Sequence, residues 1–298
     1  GGSTDFFGIS VSLYGDYALI SAYSDDDNGT NSGSAYIFKR TGSTWTQLQK
    51  LTASDGGSTD FFGISVSLYG DYALISAYYD DSQKGSAYIF KRNGSTWNQQ
   101  QKLTASDGAS NDYFGYSVSL YEDYALIGVY DDDSSKGSAY IFKRNGSTWI
   151  QQQKLTANDG ASSDRFGISV SIYKDYALIG AYKDNTAQGS AYIFKRNGST
   201  WTQQQKLTAS DGASYDYFGF SVSLFEDYAV IGAYDNDGSA LASGSAYIFN
   251  ITEDTLLLDN IGTTVASFVS GSKVGIGTHN PDYKLHIEDY EPQLALKS

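Results

Sequence analysis

Apolar and polar positions alternate along most of this chain, and the alternation recurs in blocks of about fifty residues. At residues 7–13 the odd positions are large and apolar, whereas the even positions are Gly or Ser. This period-two alternation predicts a β-strand with one large and one small face, and the small face suits a crowded place near an axis. Residues 17–23, 33–40 and 45–51 predict three further strands. Each block is therefore expected to contain four short strands.

The block occurs five times before residue 250. A Phe-Gly pair marks each copy, and the copies begin near Phe7, Phe62, Phe114, Phe166 and Phe218. A repeat of this length in a β-rich pattern is typical of propellers and solenoids, in which each copy packs against its neighbours. Four strands match one propeller blade. The expected fold class is therefore all-β: a β-propeller of about five four-stranded blades, followed by a short β-rich tail.

The end of the fifth copy departs from the other four. After Asn250 the Lys-Arg pair and the fourth strand are replaced by an unrelated sequence. Residues 255–258, Thr-Leu-Leu-Leu, are expected to supply the missing strand and close a ring of five blades. A larger ring and an open stack of blades are the alternatives. We therefore predict a propeller at residues 1–253, followed at residues 254–298 by a closure strand and a second type of segment.

Composition narrows the classes of function. Tyr occurs 26 times and Phe 15 times beside only two Pro, as expected for strands joined by Gly, Asn and Asp turns. The net charge of −14 repels a phosphate backbone, so nucleic acid is not an expected partner, and no apolar run is long enough for membrane insertion. Cys is absent and both His lie outside the repeats. Thiolate metal sites and nucleophile-His catalysis therefore have no residues in the propeller, and we predict a protein that is not an enzyme.

The repeat unit resembles the bacterial FG-GAP repeat, which is related to the repeats of the integrin α propeller. The resemblance rests on the Phe-Gly pair, the Asp-Tyr-Ala strand and the Ser-Ala-Tyr-Ile-Phe strand of each copy. It implies an extracellular or surface-displayed propeller that serves adhesion or ligand binding. Some members hold calcium in a long Asp-rich loop between two strands, where this chain has only turns such as Gly15-Asp16. The resemblance therefore does not imply that calcium site.

A separate group of acidic residues follows the second strand of every repeat. Its members include Asp26, Asp81, Asp132, Asp184, Asp235 and Asp237. Clustered carboxylates attract calcium, but a full coordination shell needs more oxygens than a pair of Asp supplies. Solvated turns, in which Asp favours the local backbone, are the plainer interpretation. No cofactor is required on that interpretation, and Asp235 and Asp237 are the candidate ligands if calcium binds.

One Tyr stands immediately before each acidic loop, so five copies of Tyr and Asp are expected around one face of the propeller. These residues are Tyr23, Tyr78, Tyr130, Tyr182 and Tyr234. A flat aromatic ring beside carboxylate oxygens is able to bind a sugar, and packing of the ring at a strand end is the alternative. The candidate ligand-binding residues are these five Tyr together with Asp26, Asp81, Asp132 and Asp184.

The fourth strands open with Trp and continue with Gln and Lys. Their four Trp are expected to be wedges between blades: Trp45, Trp97, Trp149 and Trp201. The Gln-rich face suits an outer edge that must not pair with other sheets. Asn-Gly pairs precede three of these strands, at Asn93, Asn145 and Asn197. They predict tight hairpins between the third and fourth strands.

The tail carries a second motif. Residues 274–287 read VGIGTHNPDYKLHI and resemble the VGIGTxxPxxKL segment of phage tail fibres and bacterial surface fibres. The resemblance implies an oligomerisation segment, for which we expect a homotrimer, and a plain β-hairpin cap is the alternative.

The whole sequence predicts a non-enzymatic attachment or receptor-binding module of a fibre displayed outside a cell or on a virion. Its expected partner is a cell-surface glycan or a protein receptor. A lectin propeller and a structural module that decorates a filament or capsid are the alternatives.

Overall fold

The computed structural model describes residues 2, 4–236 and 243–251, together with the backbone of three tail strands at residues 267–269, 273–276 and 285–287. The chain forms two compact units, Gly1–Ile248 and Phe249–Ser298. The first unit contains the repeats, which form the blades of a β-propeller.

Each blade is an antiparallel sheet whose strands pair in the order of the sequence. The first blade contains β1 (Phe7–Tyr14), β2 (Tyr17–Ala22), β3 (Ser34–Thr41) and β4 (Thr44–Leu51). The second contains β5 (Val66–Tyr69), β6 (Tyr72–Ala77), β7 (Ser86–Asn93) and β8 (Thr96–Leu103). The third contains β9 (Ser117–Tyr121), β10 (Tyr124–Val129), β11 (Ser138–Asn145) and β12 (Thr148–Leu155).

The fourth blade contains β13 (Phe166–Tyr173), β14 (Tyr176–Ala181), β15 (Ser190–Asn197) and β16 (Thr200–Leu207). The fifth contains β17 (Phe218–Phe225), β18 (Tyr228–Ala233) and β19 (Ser245–Asn250). The predicted fold class is confirmed, with four strands in each of the first four blades and three described strands in the fifth. The predicted closure strand at residues 255–258 lies outside the described residues.

Two-residue turns join the strands close to the predicted positions. Tyr14 pairs with Tyr17 across a turn in which Gly15 has a φ of +57°, as a glycine readily adopts. The predicted hairpin between the third and fourth strands is also present, but its register is one residue later than the Asn-Gly pair. Asn93 already belongs to β7 and pairs with Thr96, so the turn residues are Gly94 and Ser95.

Neighbouring blades pack face to face through apolar side chains. We define the trailing face of a blade as the one that packs on the following blade, and the leading face as the one that packs on the preceding blade. Between the first two blades, the trailing face includes Leu19 and Ile37, and the leading face includes Phe62, Leu68 and Trp97. The next two junctions use the equivalent residues. Each fully buried side chain of this size contributes about 1.5–3 kcal/mol, so the junctions hold the blade series together.

The first strand of each blade lies beside the first strand of the next, and hydroxyl groups link them. The hydroxyl of Ser10 accepts a hydrogen bond from the backbone N–H of Val66 at 3.0 Å, and that of Ser12 accepts one from Leu68 at 2.9 Å. Both bonds recur between the second and third blades. At the next two junctions the second Ser makes the same bond, whereas the first Ser donates to a glycine carbonyl of the following blade. The small Ser face therefore gives the inner edge of each sheet hydrogen-bond partners, in agreement with the prediction that it lies in a crowded place.

The fourth strands are linked by Gln side chains, which the sequence analysis interpreted differently. Gln49 accepts a bond from the backbone N–H of Trp97 at 2.8 Å and donates one to its carbonyl at 2.7 Å. Gln101 and Trp149 form the same pair. The fourth strands are the edges of their sheets, as predicted, but the links that their Gln side chains make to the next blade were not predicted. A carboxamide carries one acceptor and one donor group, which match the N–H and C=O of a single residue on the next blade.

One glycine per junction lets two backbones meet. Gly137 has a φ of +82° and forms a bridge with Phe166 of the next blade. A Cβ atom at Gly137 would lie 1.9 Å from the carbonyl oxygen of Phe166. The equivalent Gly33 and Gly189 form the same bridge with Phe62 and Phe218. The Gly before each Ser-Ala-Tyr motif is thus required by the close approach of the blades.

Single left-handed turns follow the second strands at Asp80–Gln83, Asp132–Ser135 and Asp184–Ala187, and the last three residues of each have φ values between +48° and +66°. In the described part of the chain, no helix is long and apolar enough to cross a membrane. The second unit contains β20 (Ser267–Val269), β21 (Lys273–Ile276) and β22 (Leu285–Ile287). Strand β21 pairs antiparallel with β20 and parallel with β22. The fibre-like motif therefore contributes two paired strands, and its predicted trimerisation stays a prediction.

Candidate functional site

The five predicted Tyr lie in one continuous row of side chains, which we call the aromatic belt. The row alternates between the residue after the second strand and the residue before the next Phe-Gly pair: Phe6, Tyr23, Phe61, Tyr78, Tyr113, Tyr130, Arg165, Tyr182, Tyr217 and Tyr234. Neighbouring ring centroids are 5.0 to 5.9 Å apart. The belt crosses all five blades, so the sequence analysis correctly expected these Tyr to lie together.

An unusual backbone conformation holds half of the belt in place. The residue before each Phe-Gly pair has a φ between +51° and +61°: Phe6, Phe61, Tyr113, Arg165 and Tyr217. Bulky residues rarely adopt this left-handed conformation, which costs on the order of 1–3 kcal/mol at each position. The sequence analysis missed these five positions, although a large side chain directly before every Phe-Gly pair was a visible signal. Strain repeated in every blade marks this row as a candidate site.

Arg165 is the one cation in the belt. Its guanidinium carbon lies 5.2 Å from the centre of the Tyr130 ring, and Nη1 donates a hydrogen bond of 3.2 Å to the Tyr182 hydroxyl. Every other blade has an aromatic ring at this position. The belt is therefore continuous across the fourth blade, but a positive charge replaces a ring there.

The belt rings differ in how far they are exposed. Tyr182 is buried, Tyr23, Tyr78 and Tyr130 are half-buried, and Tyr234 is 51% exposed. Burial, together with the neighbouring Tyr side chains, raises the pKa of Tyr78 and Tyr130 above the usual range. These hydroxyls stay protonated at neutral pH and are able to donate hydrogen bonds.

The acidic residues of these loops occupy two kinds of position, one buried and one exposed. In the first four blades the Asp two residues after the belt Tyr is buried, and these are Asp25, Asp80, Asp132 and Asp184. The residue that follows is exposed, and these include Asp26 and Asp81. Of the candidate ligand residues, Asp26 and Asp81 therefore face solvent beside the belt, whereas Asp132 and Asp184 lie inside the blade.

The buried Asp of each loop belongs to a network with Lys and Tyr. In the second blade the ammonium group of Lys102 lies 2.5 Å from Asp80 and 2.6 Å from Asp55, and the Tyr88 hydroxyl donates to Asp80 at 3.0 Å. Equivalent networks centre on Lys154 and Lys206. The interpretation of these loops as solvated turns therefore fails for the first Asp, because its carboxylate is buried and paired.

These networks fix the charges of their members. Burial acts against charge, but hydrogen bonds from Lys154 and Tyr140 lower the pKa of Asp107 below its usual value. Burial likewise acts against the cation, but bonds to Asp107 and Asp132 raise the pKa of Lys154 above its usual value. The buried Asp are thus ion-pair partners within the blade. The exposed Asp have weaker local partners at the surface, such as Lys84 for Asp81 and the backbone N–H of Asn31 for Asp26, and these are the carboxylates that a ligand can reach.

The fifth blade differs from the others at the position of the buried Asp. Its fourth strand, which carries the Lys in other blades, is absent from the described residues, and Asn236 stands where the others have the buried Asp. The amide of Asn236 donates to Asp216 at 2.9 Å. A neutral Asn thus replaces the buried Asp in the one blade whose described residues do not include the fourth-strand Lys.

The candidate calcium ligands, Asp235 and Asp237, are the sequence neighbours of Asn236. Asp235 follows β18 and its backbone N–H donates to the carbonyl of Asp216, whereas Asp237 lies outside the described residues. Among the residues that are described, no three His, Asp or Glu side chains form a group that could hold a metal ion. Calcium binding at Asp235 and Asp237 stays a prediction.

The predicted Trp wedges are confirmed at three of four positions. Trp97, Trp149 and Trp201 are buried between blades, each with its ring edge against a Tyr of the preceding blade. Trp45 is 40% exposed, because the leading face of the first blade is not covered. A second aromatic row, which the sequence analysis missed, joins the far ends of the first strands: Tyr14, Tyr69, Tyr121, Tyr173 and Phe225.

The hollows found on the described surface have linings of mixed polar and apolar character. A cleft of about 230 Å³ lies beside Asp133, Lys136 and Lys154, and a groove of about 450 Å³ runs beside Arg144 and Ile150 on the outer strands. Small-molecule sites are usually concave and mostly apolar. The belt instead offers ring faces and edges, hydroxyl donors and neighbouring carboxylates, which suit the binding of an extended polar ligand.

The comparisons with known proteins agree with this architecture. The family model described as FG-GAP repeat matches residues 1–38, 45–90, 97–142, 149–194 and 201–249. A search among curated proteins found no match. The five matched segments cover most of the chain, and each of the last four begins at the fourth strand of one blade and ends in the third strand of the next. The chain therefore belongs to the FG-GAP repeat family.

Proposed function

We propose that this chain is a non-enzymatic attachment module whose aromatic belt binds carbohydrate on a target surface. A propeller of FG-GAP repeats is consistent with a binding or a structural module. The observation that carries the binding proposal is the belt itself. Its side chains follow one another across five blades, and in every blade one of them is held at positive φ. This conformation also lets the backbone N–H of four of these residues bond the preceding repeat, and it holds their side chains in place before a ligand arrives.

Carbohydrate is the ligand class that suits the chemistry of the belt. Aromatic rings offer flat apolar faces and edges, and Phe6 and Tyr234 are both more than half exposed. The exposed carboxylates of Asp26 and Asp81 accept hydrogen bonds from hydroxyl groups next to the rings. Each blade offers only a small contact. A chain of several sugars would gain affinity by touching successive blades at once.

Arg165 refines the proposal to an acidic sugar at the fourth blade. A guanidinium binds a carboxylate or sulfate through charge-assisted hydrogen bonds, and it already lies between two belt Tyr. The chain as a whole carries a net charge of −14, so this local cation is needed to hold an anion. The proposal includes a location outside a cell or on a virion, with a cell-surface glycan as the partner.

The test is binding of the purified 298-residue chain to immobilised neutral and acidic oligosaccharides. Tyr234→Ala should weaken binding about tenfold, because one exposed ring face or edge of the belt is lost. Tyr14→Ala is the matched control, because Tyr14 is also an exposed ring but lies in the second aromatic row. That control should bind like the unaltered chain.

Arg165→Tyr tests the charge, because it restores the type of residue that the third and fifth blades have at this position. It should reduce binding of acidic oligosaccharides and leave that of neutral ones unchanged. If the unaltered chain binds none of the oligosaccharides, the carbohydrate proposal is wrong and the structural module becomes the better interpretation.

A further inference from the structure

The first blade presents a leading face that is covered at every internal junction. Leu13 is 65% exposed, whereas Leu68 and Leu120 at the same repeat position are 4% and 5% exposed. Trp45 is 40% exposed and its equivalent Trp97 is 1% exposed. Burial of such side chains is the main contribution to each internal junction. Among the described residues, the first blade therefore carries half of a junction without its partner half.

The fifth blade presents the opposite half. Ile248, on its trailing face, is 71% exposed, whereas the equivalent Ile37 is fully buried. Tyr228 is 53% exposed and its equivalent Tyr72 is 8% exposed. Contiguous exposed apolar surface of this kind marks interaction sites.

The two exposed faces match each other. The leading face of the first blade has the same Phe, Val, Leu and Trp positions as the internal leading faces, and the trailing face of the fifth blade keeps the Tyr and Ile positions, with Val230 in place of Leu. We propose that the trailing face of the fifth blade in one copy packs on the leading face of the first blade in a second copy of this chain. The contact is head to tail and reproduces an internal blade junction between two molecules.

Polar groups at the two faces support a second copy of this chain as the binding partner. Ser223 is equivalent to Ser12, whose hydroxyl accepts from the backbone N–H of Leu68, and in the proposed contact it accepts from Leu13 in the second copy. Ser221 is equivalent to Ser117 and Ser169, whose hydroxyls donate to the carbonyls of Gly167 and Gly219 in the following blade. In the proposed contact Ser221 donates to the carbonyl of Gly8 in the second copy.

A cation–aromatic contact adds to the match. The guanidinium of Arg92 lies 4.8 Å from the ring centre of Tyr17 on the preceding blade, and Arg144 lies 4.8 Å from Tyr72. Arg40 is the equivalent Arg of the first blade and is exposed, and Tyr228 is the equivalent exposed Tyr of the fifth. The head-to-tail contact brings this pair together as well.

Residues 252–298 contain neither a Phe-Gly pair nor the Ser-Ala-Tyr-Ile-Phe motif that builds the internal junctions. Another copy supplies both faces with the residues that already fit them. Because the contact joins two different surfaces, each added copy leaves one free face of each kind. The assembly therefore grows by head-to-tail addition and ends only where a ring closes.

The experiment is sedimentation velocity of the full chain over a wide range of concentration. Particles larger than the 32.3 kDa monomer should form progressively as the concentration rises. Val11→Asp and Ile248→Asp each place a charge on one exposed face, and each should remain monomeric. Ile150→Asp is the matched control, because Ile150 is a 53% exposed apolar residue on an outer strand of the third blade. It should associate like the unaltered chain.

Mixing the two end variants gives the decisive result. Val11→Asp leaves the trailing face of the fifth blade unaltered, and Ile248→Asp leaves the leading face of the first blade unaltered. These two unaltered faces can pair once, so an equimolar mixture should form a dimer and nothing larger. Circular dichroism of each variant confirms that it is folded. A mass that does not depend on concentration would overturn the proposal. So would a constant trimer in all variants, which would assign association to the fibre-like segment, or a mixture that stays monomeric.

Discussion

Gly137 lies where the backbones of the third and fourth blades meet, and two separate restrictions act on it. Its φ of +82° disfavours any side chain, and a Cβ atom would lie 1.9 Å from the carbonyl oxygen of Phe166. Gly146, in a hairpin turn of the same blade, has a φ of +63°, but a Cβ atom there would have no other atom within 4 Å. The two glycines thus separate backbone strain from the close contact between blades.

Substitution by Ala should reveal the difference between these glycines. We expect Gly146→Ala to cost about 1 kcal/mol of unfolding free energy, the usual penalty of a left-handed conformation. Gly137→Ala should cost at least about 2 kcal/mol more, because the added methyl group forces the blades apart. Urea denaturation of both variants measures the difference. Equal losses would show that the junction adjusts at no cost.

Trp149 and Trp45 occupy the same repeat position in different surroundings. Trp149 is 2% exposed and packs between the leading and trailing faces of a junction, whereas Trp45 is 40% exposed. Trp149→Ala should lower the free energy of unfolding by about 3–5 kcal/mol, because it leaves a cavity between two blades. Trp45→Ala should cost about 1 kcal/mol or less in dilute solution. Similar losses for both would contradict the difference in burial.

At the scale of the strand and loop, each Lys of a fourth strand holds carboxylates that lie far from it in the sequence. Lys102 pairs with Asp55, before the second blade, and with Asp80, after the second strand of that blade. A further carboxylate, Asp60, lies nearby, and burial together with the charge of Asp80 raises its pKa. One cation therefore balances several buried or half-buried Asp. Those with a raised pKa contribute more to stability at low pH, and those with a lowered pKa contribute more at high pH.

The opposing shifts predict a stability maximum at mildly acidic pH. Asp112 has a raised pKa, so the folded state binds its proton first and its contribution to stability grows as the pH falls through the acidic range. Asp107 has a lowered pKa, so its contribution is present above about pH 4 and is lost as the pH falls further. Urea denaturation from about pH 3 to about pH 8 should trace this maximum.

Two variants distinguish the contribution of Asp112 from that of Asp107 in the dependence of stability on pH. Asp112→Asn keeps the acceptor for the N–H of Ala109 and should flatten the rise of stability with falling pH. Asp107→Asn should lower stability at neutral pH and make the loss below about pH 4 less steep. A stability that rises steadily from acidic to neutral pH in the unaltered chain would contradict the predicted signs.

The whole molecule is a series of equivalent junctions, so a complete repeat should be removable. Deletion of residues 114–165 joins Tyr113 to Phe166 and places the leading face of the fourth blade on the trailing face of the second. We expect a folded chain of four blades, with a dependence of unfolding on urea that is about one fifth lower. Far-ultraviolet circular dichroism and urea denaturation test this. An unfolded product would show that the blades are not interchangeable.

Local signals predicted the blades well because strands and turns depend on neighbouring residues. The alternation at residues 7–13 and the Gly15-Asp16 turn led directly to β1, β2 and their register. Contacts between distant residues were harder to predict. Lys50 meets Asp25 across the blade, and Gln49 meets Trp97 across a junction, and neither pair is adjacent in sequence.

The candidate site divides in the same way. The Tyr before each acidic loop could be identified from sequence, because it repeats next to a recognisable strand. Its partner before the Phe-Gly pair could not be placed beside it, because Phe61 reaches Tyr23 only when two blades pack together. The register of the buried Asp likewise depends on where the fourth-strand Lys arrives.

The equivalence of the junctions also has a kinetic consequence during folding. Because any trailing face fits any leading face, a chain emerging from the ribosome can dock the second blade on the fifth as readily as on the third. Order then depends on timing, since neighbouring repeats meet sooner than distant ones. Slow, sequential synthesis should therefore give a higher yield of the correct blade order than rapid refolding of the complete chain from denaturant.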